Sequence, residues 1–102
     1  MQHVGLVLED ENGKLIERSS INFAIVMTSL LELNKKGLYL WLESIDLYGN
    51  TTFNFHQTAH LLKELEKLEK ENIKPDVSKV ITDSLDFIRK IDQHVYIKFI
   101  GD

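Results

Sequence analysis

Apolar residues alternate along the first strand-length of the chain. Val4, Leu6 and Leu8 take one face of an extended segment and Gly5, Val7 and Glu9 the other. The acidic run Glu9-Asp10-Glu11 and the pair Asn12-Gly13 interrupt this pattern before Leu15 and Ile16 resume it. Asn-Gly supplies the two positive-φ positions of a type I′ turn, so the segment predicts a β-hairpin with an acidic tip. From Ser19 to Asn34 the period lengthens. Phe23, Val26, Met27, Leu30, Leu31 and Asn34 follow helical spacing, with Ser19 or Ser20 to cap the start and Lys35-Lys36-Gly37 to end it. Ile21, Phe23, Ile25 and Met27 also fit a strand, but the run is long for one, which favours the helix.

Leu38 to Asp46 is apolar on both sides of an extended ribbon. Tyr39, Trp41, Glu43 and Ile45 fall on one side and Leu38, Leu40, Leu42 and Ser44 on the other, which predicts a central strand with Glu43 at its rim. A cluster of turn residues follows, from Asp46 to Asn54, with Thr51–Phe53 as a short strand. Asp46 would brace this turn by accepting backbone N–H groups, Gly49 would supply positive φ, and Asn54 would cap the next helix. That helix carries the stripe Leu61, Leu62, Leu65 and Leu68, with charges of both signs around it. Glu66 and Lys70 stand at i,i+4 in the favourable order. Asn72-Ile73-Lys74-Pro75 ends that helix, and Pro75 or Asp76 opens another, whose stripe is Val77, Val80, Ile81, Leu85, Ile88 and Ile91. The short connection makes the two antiparallel neighbours. The last segment, Val95–Ile100, is β-branched and aromatic and reads as a strand inside the sheet. The expected fold is a single α+β domain over residues 1–102. It has a mostly antiparallel sheet of four or five strands with a helical hairpin packed on one face.

Composition narrows the function classes. The chain has no cysteine, which removes disulfides and thiolate metal sites and fits a reducing cytoplasm. Its 12 basic and 16 acidic side chains leave a charge of −4, the wrong sign for a nucleic-acid surface and the right one for a basic protein partner. The longest apolar stretch, Ile21–Leu33, is interrupted by Asn22, Thr28, Ser29 and Glu32, so no membrane span is expected. The amino end lacks the basic and apolar regions of a signal peptide.

Candidate chemistry is sparse. His56 and His60 are four apart on a predicted helix, but Gln57 stands where a zinc protease needs its glutamate, and the spacing places no third ligand. Gly5, Gly13, Gly37, Gly49 and Gly101 are scattered and form no phosphate-cradling loop. With no nucleophile motif either, no enzyme activity, metal or cofactor is expected. The acids remain. Glu9, Asp10 and Glu11 at the hairpin tip, with Glu43, Asp46 and Tyr48 at the end of the predicted strand, are the candidate partner-binding residues.

The pattern Ile45-Asp46-x-Tyr48-Gly49-x-Thr51-x-Phe53-Asn54, the Leu/Glu-rich helix after it and the ending His94-x-Tyr96-x-x-Phe99-Ile100-Gly101-Asp102 resemble small bacterial proteins of this size. Several such groups are immunity proteins of polymorphic-toxin or contact-dependent growth inhibition systems. The resemblance implies a cytoplasmic protein that binds and neutralises a cognate toxin domain and needs no catalytic residues. Toxin domains of this kind are often nucleases, hence basic. The alternative is a small-molecule-binding or regulatory domain.

Overall fold

The computed structural model describes residues 2–33 and 37–102. The elements, in chain order, are β1 (Gly5–Asp10), β2 (Leu15–Arg18), α1 (Ala24–Leu33), α2 (Leu40–Glu43), β3 (Asn50–Phe53), α3 (Phe55–Glu69), α4 (Pro75–Ile88) and β4 (Val95–Ile100). The four strands make one sheet in the order β2-β1-β4-β3, every neighbouring pair antiparallel. β4 therefore lies inside the sheet, as its largely apolar pattern, interrupted only by Lys98, predicts. The α+β architecture expected from the sequence is the one observed.

Register determines which side chains share a face. Leu6 pairs with Phe99 and Leu8 with Ile97, while Phe53 of β3 pairs with Ile97 from the other side. These residues are buried and face the helices. Edge-to-face contacts join Phe23 to Phe99 at 5.0 Å, Phe99 to Phe53 at 5.8 Å and Phe53 to Trp41 at 6.2 Å. Such pairs add about 0.5–1.5 kcal/mol each beyond the area they bury. Leu61, Leu65 and Leu68 of α3 and Val77, Ile81, Leu85 and Ile88 of α4 complete the core. α3 and α4 run antiparallel, since Glu66 meets Arg89 at 3.0 Å while Glu69, one turn on, meets Thr82 at 3.1 Å. Glu66 thus pairs across to the neighbouring helix, and the expected i,i+4 pair with Lys70 is not formed among the described residues.

The ends of the elements follow local chemistry. Asn54 and Gln57 form a reciprocal capping box on α3, each side chain accepting the other's backbone N–H at 2.9 Å. Pro75 opens α4, where its missing N–H costs nothing. α1 begins at Ala24, later than Ser19 or Ser20 would cap it. Asn22 is the cap instead, its Oδ1 accepting from the N–H of Ala24 at 3.0 Å and of Val4 at 3.1 Å. Ser19 is held to β1, with its N–H and its hydroxyl both donating to the Leu6 carbonyl. The expected end of this helix at Asn34, Lys35 and Lys36 lies outside the described residues; Gly37 has φ of 85°.

One element departs from expectation. Leu38–Asp46 is not a central strand. It contains the single turn α2, flanked by irregular backbone. The buried residues are Tyr39, Leu42 and Ile45, spaced by three, whereas Leu38 and Leu40 are exposed. A run apolar at nearly every position carries no period of its own, and tertiary contacts chose the helical one. Glu64 of α3 supplies the decisive contact: its carboxylate accepts the N–H of Leu42 at 2.9 Å and of Trp41 at 3.1 Å. A negative charge against the first N–H groups of a helical turn satisfies donors that the turn itself leaves unpaired.

Candidate partner-binding surface

The two groups of acids lie at opposite ends of the sheet. At the hairpin tip, Asp10 faces inward and its Oδ1 accepts the N–H of Asn12 and of Lys14, each at 2.9 Å. Gly13 has φ of 80°, the positive value expected of it, but its N–H donates to the Asp10 carbonyl at 3.0 Å. Glu11 and Asn12 are therefore the central residues of the turn. The expected two-residue type I′ turn on Asn12-Gly13 is not formed, and the loop is one residue longer. Glu9 pairs with Lys98 at 3.5 Å in a half-buried position, and Glu11 meets His94 at 3.5 Å. The tip is therefore a stitched end of the sheet whose charges are partly compensated, not an open acidic patch.

The second group surrounds the turn before β3. Asp46 braces it as expected, its Oδ1 accepting the Tyr48 N–H at 2.9 Å. The Asp46 N–H donates to Thr51 Oγ1 at 2.8 Å, so Thr51 closes the turn from the far side. Gly101 N–H donates to the Gly49 carbonyl at 2.7 Å and Asp102 N–H to that of Leu47 at 3.0 Å. Gln2 Nε2 adds a bond to the same Leu47 carbonyl at 2.9 Å. Both ends of the described chain thus hold this turn, a role that no pattern in the sequence marks for Gln2, Gly101 or Asp102. Gly49 does not have positive φ, contrary to expectation. Its lack of a side chain serves space: a Cβ there would stand 2.6 Å from Asp46 Oδ2.

From this braced turn Tyr48 projects into solvent, 79% exposed. Asp46 and Asp102 are exposed beside it. Glu43 is exposed on α2, its carboxylate accepting the Gly37 N–H at 3.2 Å. Gly5 to Asp10 spans the sheet, so roughly 17 Å separates the turn end from the tip. The structure brings Asp46 and Tyr48 together and leaves Glu9, Asp10 and Glu11 apart from them.

The two histidines of α3 have aromatic neighbours. His60 stacks on Trp41 at 5.1 Å with the rings 8° from parallel, and His56 meets the Phe55 ring at 5.7 Å and 72°. Among the described residues no three His, Asp or Glu side chains gather as a metal would require. Tyr39, fully buried, donates its phenol to Glu71 at 3.3 Å, with the Lys67 ammonium over its ring. Burial first, then the Glu71 charge and hydrogen bond, then Glu64, push its pKa above the ordinary value of 10.0. An open cleft of about 500 Å³ lies between α1 and α4, lined by Gln2, Asn22, Ala24, Ile25, Thr28 and Val80. Its polar side chains already bond the fold: Gln2 to Leu47, Asn22 to Val4 and Ala24, Thr28 to Ala24. That lining is poorly suited to fixing a small polar ligand. No helix among the described residues is long and apolar enough to cross a membrane.

Comparison with family models, with curated proteins and with solved structures gives no match.

Proposed function

We propose that this chain is a cytoplasmic immunity protein that binds and neutralises a toxin domain, with the Asp46–Tyr48 turn as its contact. The observation that carries the reading is the exposure of Tyr48 on a turn fixed by Asp46, Thr51, Gly101, Asp102 and Gln2. Tyrosine is among the residues that dominate binding energies. An anchor already held in one conformation loses little entropy on binding. The carboxylates of Asp46 and Asp102 and the charge of −4 favour a basic partner, such as a nuclease domain whose own surface holds phosphates. The paired acids of the tip contribute less than their sequence suggests.

Co-expression with the product of the gene directly upstream tests the reading, with toxicity of that product alone as the first requirement. The wild-type chain is expected to rescue growth and to co-elute with the toxin domain. Tyr48→Ala is expected to weaken the complex about tenfold or more while leaving the melting temperature unchanged. Full protection by Tyr48→Ala would reject the turn as the contact. Failure of the wild-type chain both to protect and to form a complex would reject immunity.

A further inference from the structure

The sheet face turned away from the helices holds a second feature. Directly opposed residues of an antiparallel ladder share a face. Val7 pairs with both Arg18 and Lys98, and Gly5 with Ile100, so these residues line the outer side. Val7 is only 2% exposed yet stands apart from the main core. It forms, with Ile100, the floor of a cleft of about 210 Å³ bordered by His3, Gly5, Arg18 and Ser19. The His3 ring lies against Gly5, its Cε1 3.6 Å from where a Cβ would stand. Across the cleft is Arg18, whose side chain makes no ion pair or hydrogen bond among the described residues. Its backbone is anchored on both sides, by ladder pairing with Val7 and by the two bonds of Ser19 to the Leu6 carbonyl.

We propose that this cleft binds a small carboxylate carrying a short apolar tail. The Arg18 guanidinium presents a planar fork of donors that matches both carboxylate oxygens. A His3 ring N–H, present in either neutral tautomer, is the second donor. The apolar tail lies over Ile100, which the open face leaves half-buried beside the already covered Val7, and removes that apolar surface from water. The proposal is independent of the immunity reading, since it uses neither Tyr48 nor Asp46.

Titration of the full chain with butyrate, followed by amide chemical shifts, tests it. Saturable shifts confined to Val7, Arg18, Ser19 and Ile100 are expected, with a dissociation constant of about 1 mM or tighter. Arg18→Gln is expected to weaken butyrate about tenfold with no change in melting temperature, and Arg18→Lys to recover part of the loss. Lys79→Gln, on α4 and outside the cleft, is expected to leave it unchanged. Inorganic phosphate, with the charge but no tail, is expected to bind more weakly. Shifts that never saturate, or that persist unaltered in Arg18→Gln, overturn the site; phosphate binding as tightly as butyrate overturns the carboxylate assignment.

Discussion

A carboxylate oxygen of Asp46 stands 2.6 Å from where a Cβ would sit on Gly49, and the Leu47 carbonyl stands 2.5 Å from the same point on Gly101. The two glycines leave room for close approach, but the obstacles differ. Gly49→Ala displaces a side chain that can rotate away, at the cost of its bond to Tyr48. We expect a loss of about 1–2 kcal/mol in urea unfolding. Gly101→Ala meets backbone of a turn already bonded to it, and a cost of about 2–3 kcal/mol is expected from forced main-chain movement. Equal costs would show that the turn yields as a whole. The sequence displays a glycine at position 49 but not the reason for it, because dihedral need and spatial need look alike in one dimension. Tyr39 gives a residue-scale test in pH. Its folded pKa is raised, so the neutral phenol is the form the fold favours. That stability is complete below the unfolded value near 10 and is lost as pH rises through the higher folded one. Unfolding free energy should fall above pH 10 in the wild type and less steeply in Tyr39→Phe.

At the scale of elements, what was legible is what local residues specify. Asn12-Gly13 marks the hairpin, Asn54 the start of α3 and Pro75 that of α4, and each signal lies within a few residues of the boundary it sets. The stretch from Leu38 to Asp46 departs from its strand-like pattern because its helical turn is specified from outside. Glu64 lies 22 residues from Leu42 in the chain and is one carboxylate on a helix face with charges of both signs. Nothing nearby distinguishes it as a cap. Glu64→Ala is therefore expected to cost about 1–2 kcal/mol by guanidinium unfolding, as loss of a helix cap does, although the residue contributes nothing to the apolar stripe of α3. Glu64→Gln, which keeps an acceptor, should recover part of it. A variant with wild-type stability would show that α2 is held by Tyr39, Leu42 and Ile45 alone. The candidate contact was half legible for the same reason. Asp46 and Tyr48 are neighbours in sequence and remain so in space, whereas the distance to Glu9, Asp10 and Glu11 depends on strand order.

For the whole molecule, strand order is the feature with the widest reach. β1 and β4 lie side by side, with Gly5 opposite Ile100 and Asp10 opposite Val95. Joining segments that far apart in the chain costs roughly 4 kcal/mol in loop closure before any contact offsets it. Pairings of such long range slow folding toward the millisecond range, since the closure comes before the interactions that reward it. They also hold the two ends of the described chain within reach of each other. A circular permutant with a short glycine-serine bridge across those ends, opened between α3 and α4, would convert β4–β1 into a local hairpin. It should fold several-fold faster in stopped-flow refolding, with its unfolding rate changed much less. A permutant that refolds no faster than the parent would place the rate-limiting event elsewhere, in the docking of α3 and α4 on a sheet already formed.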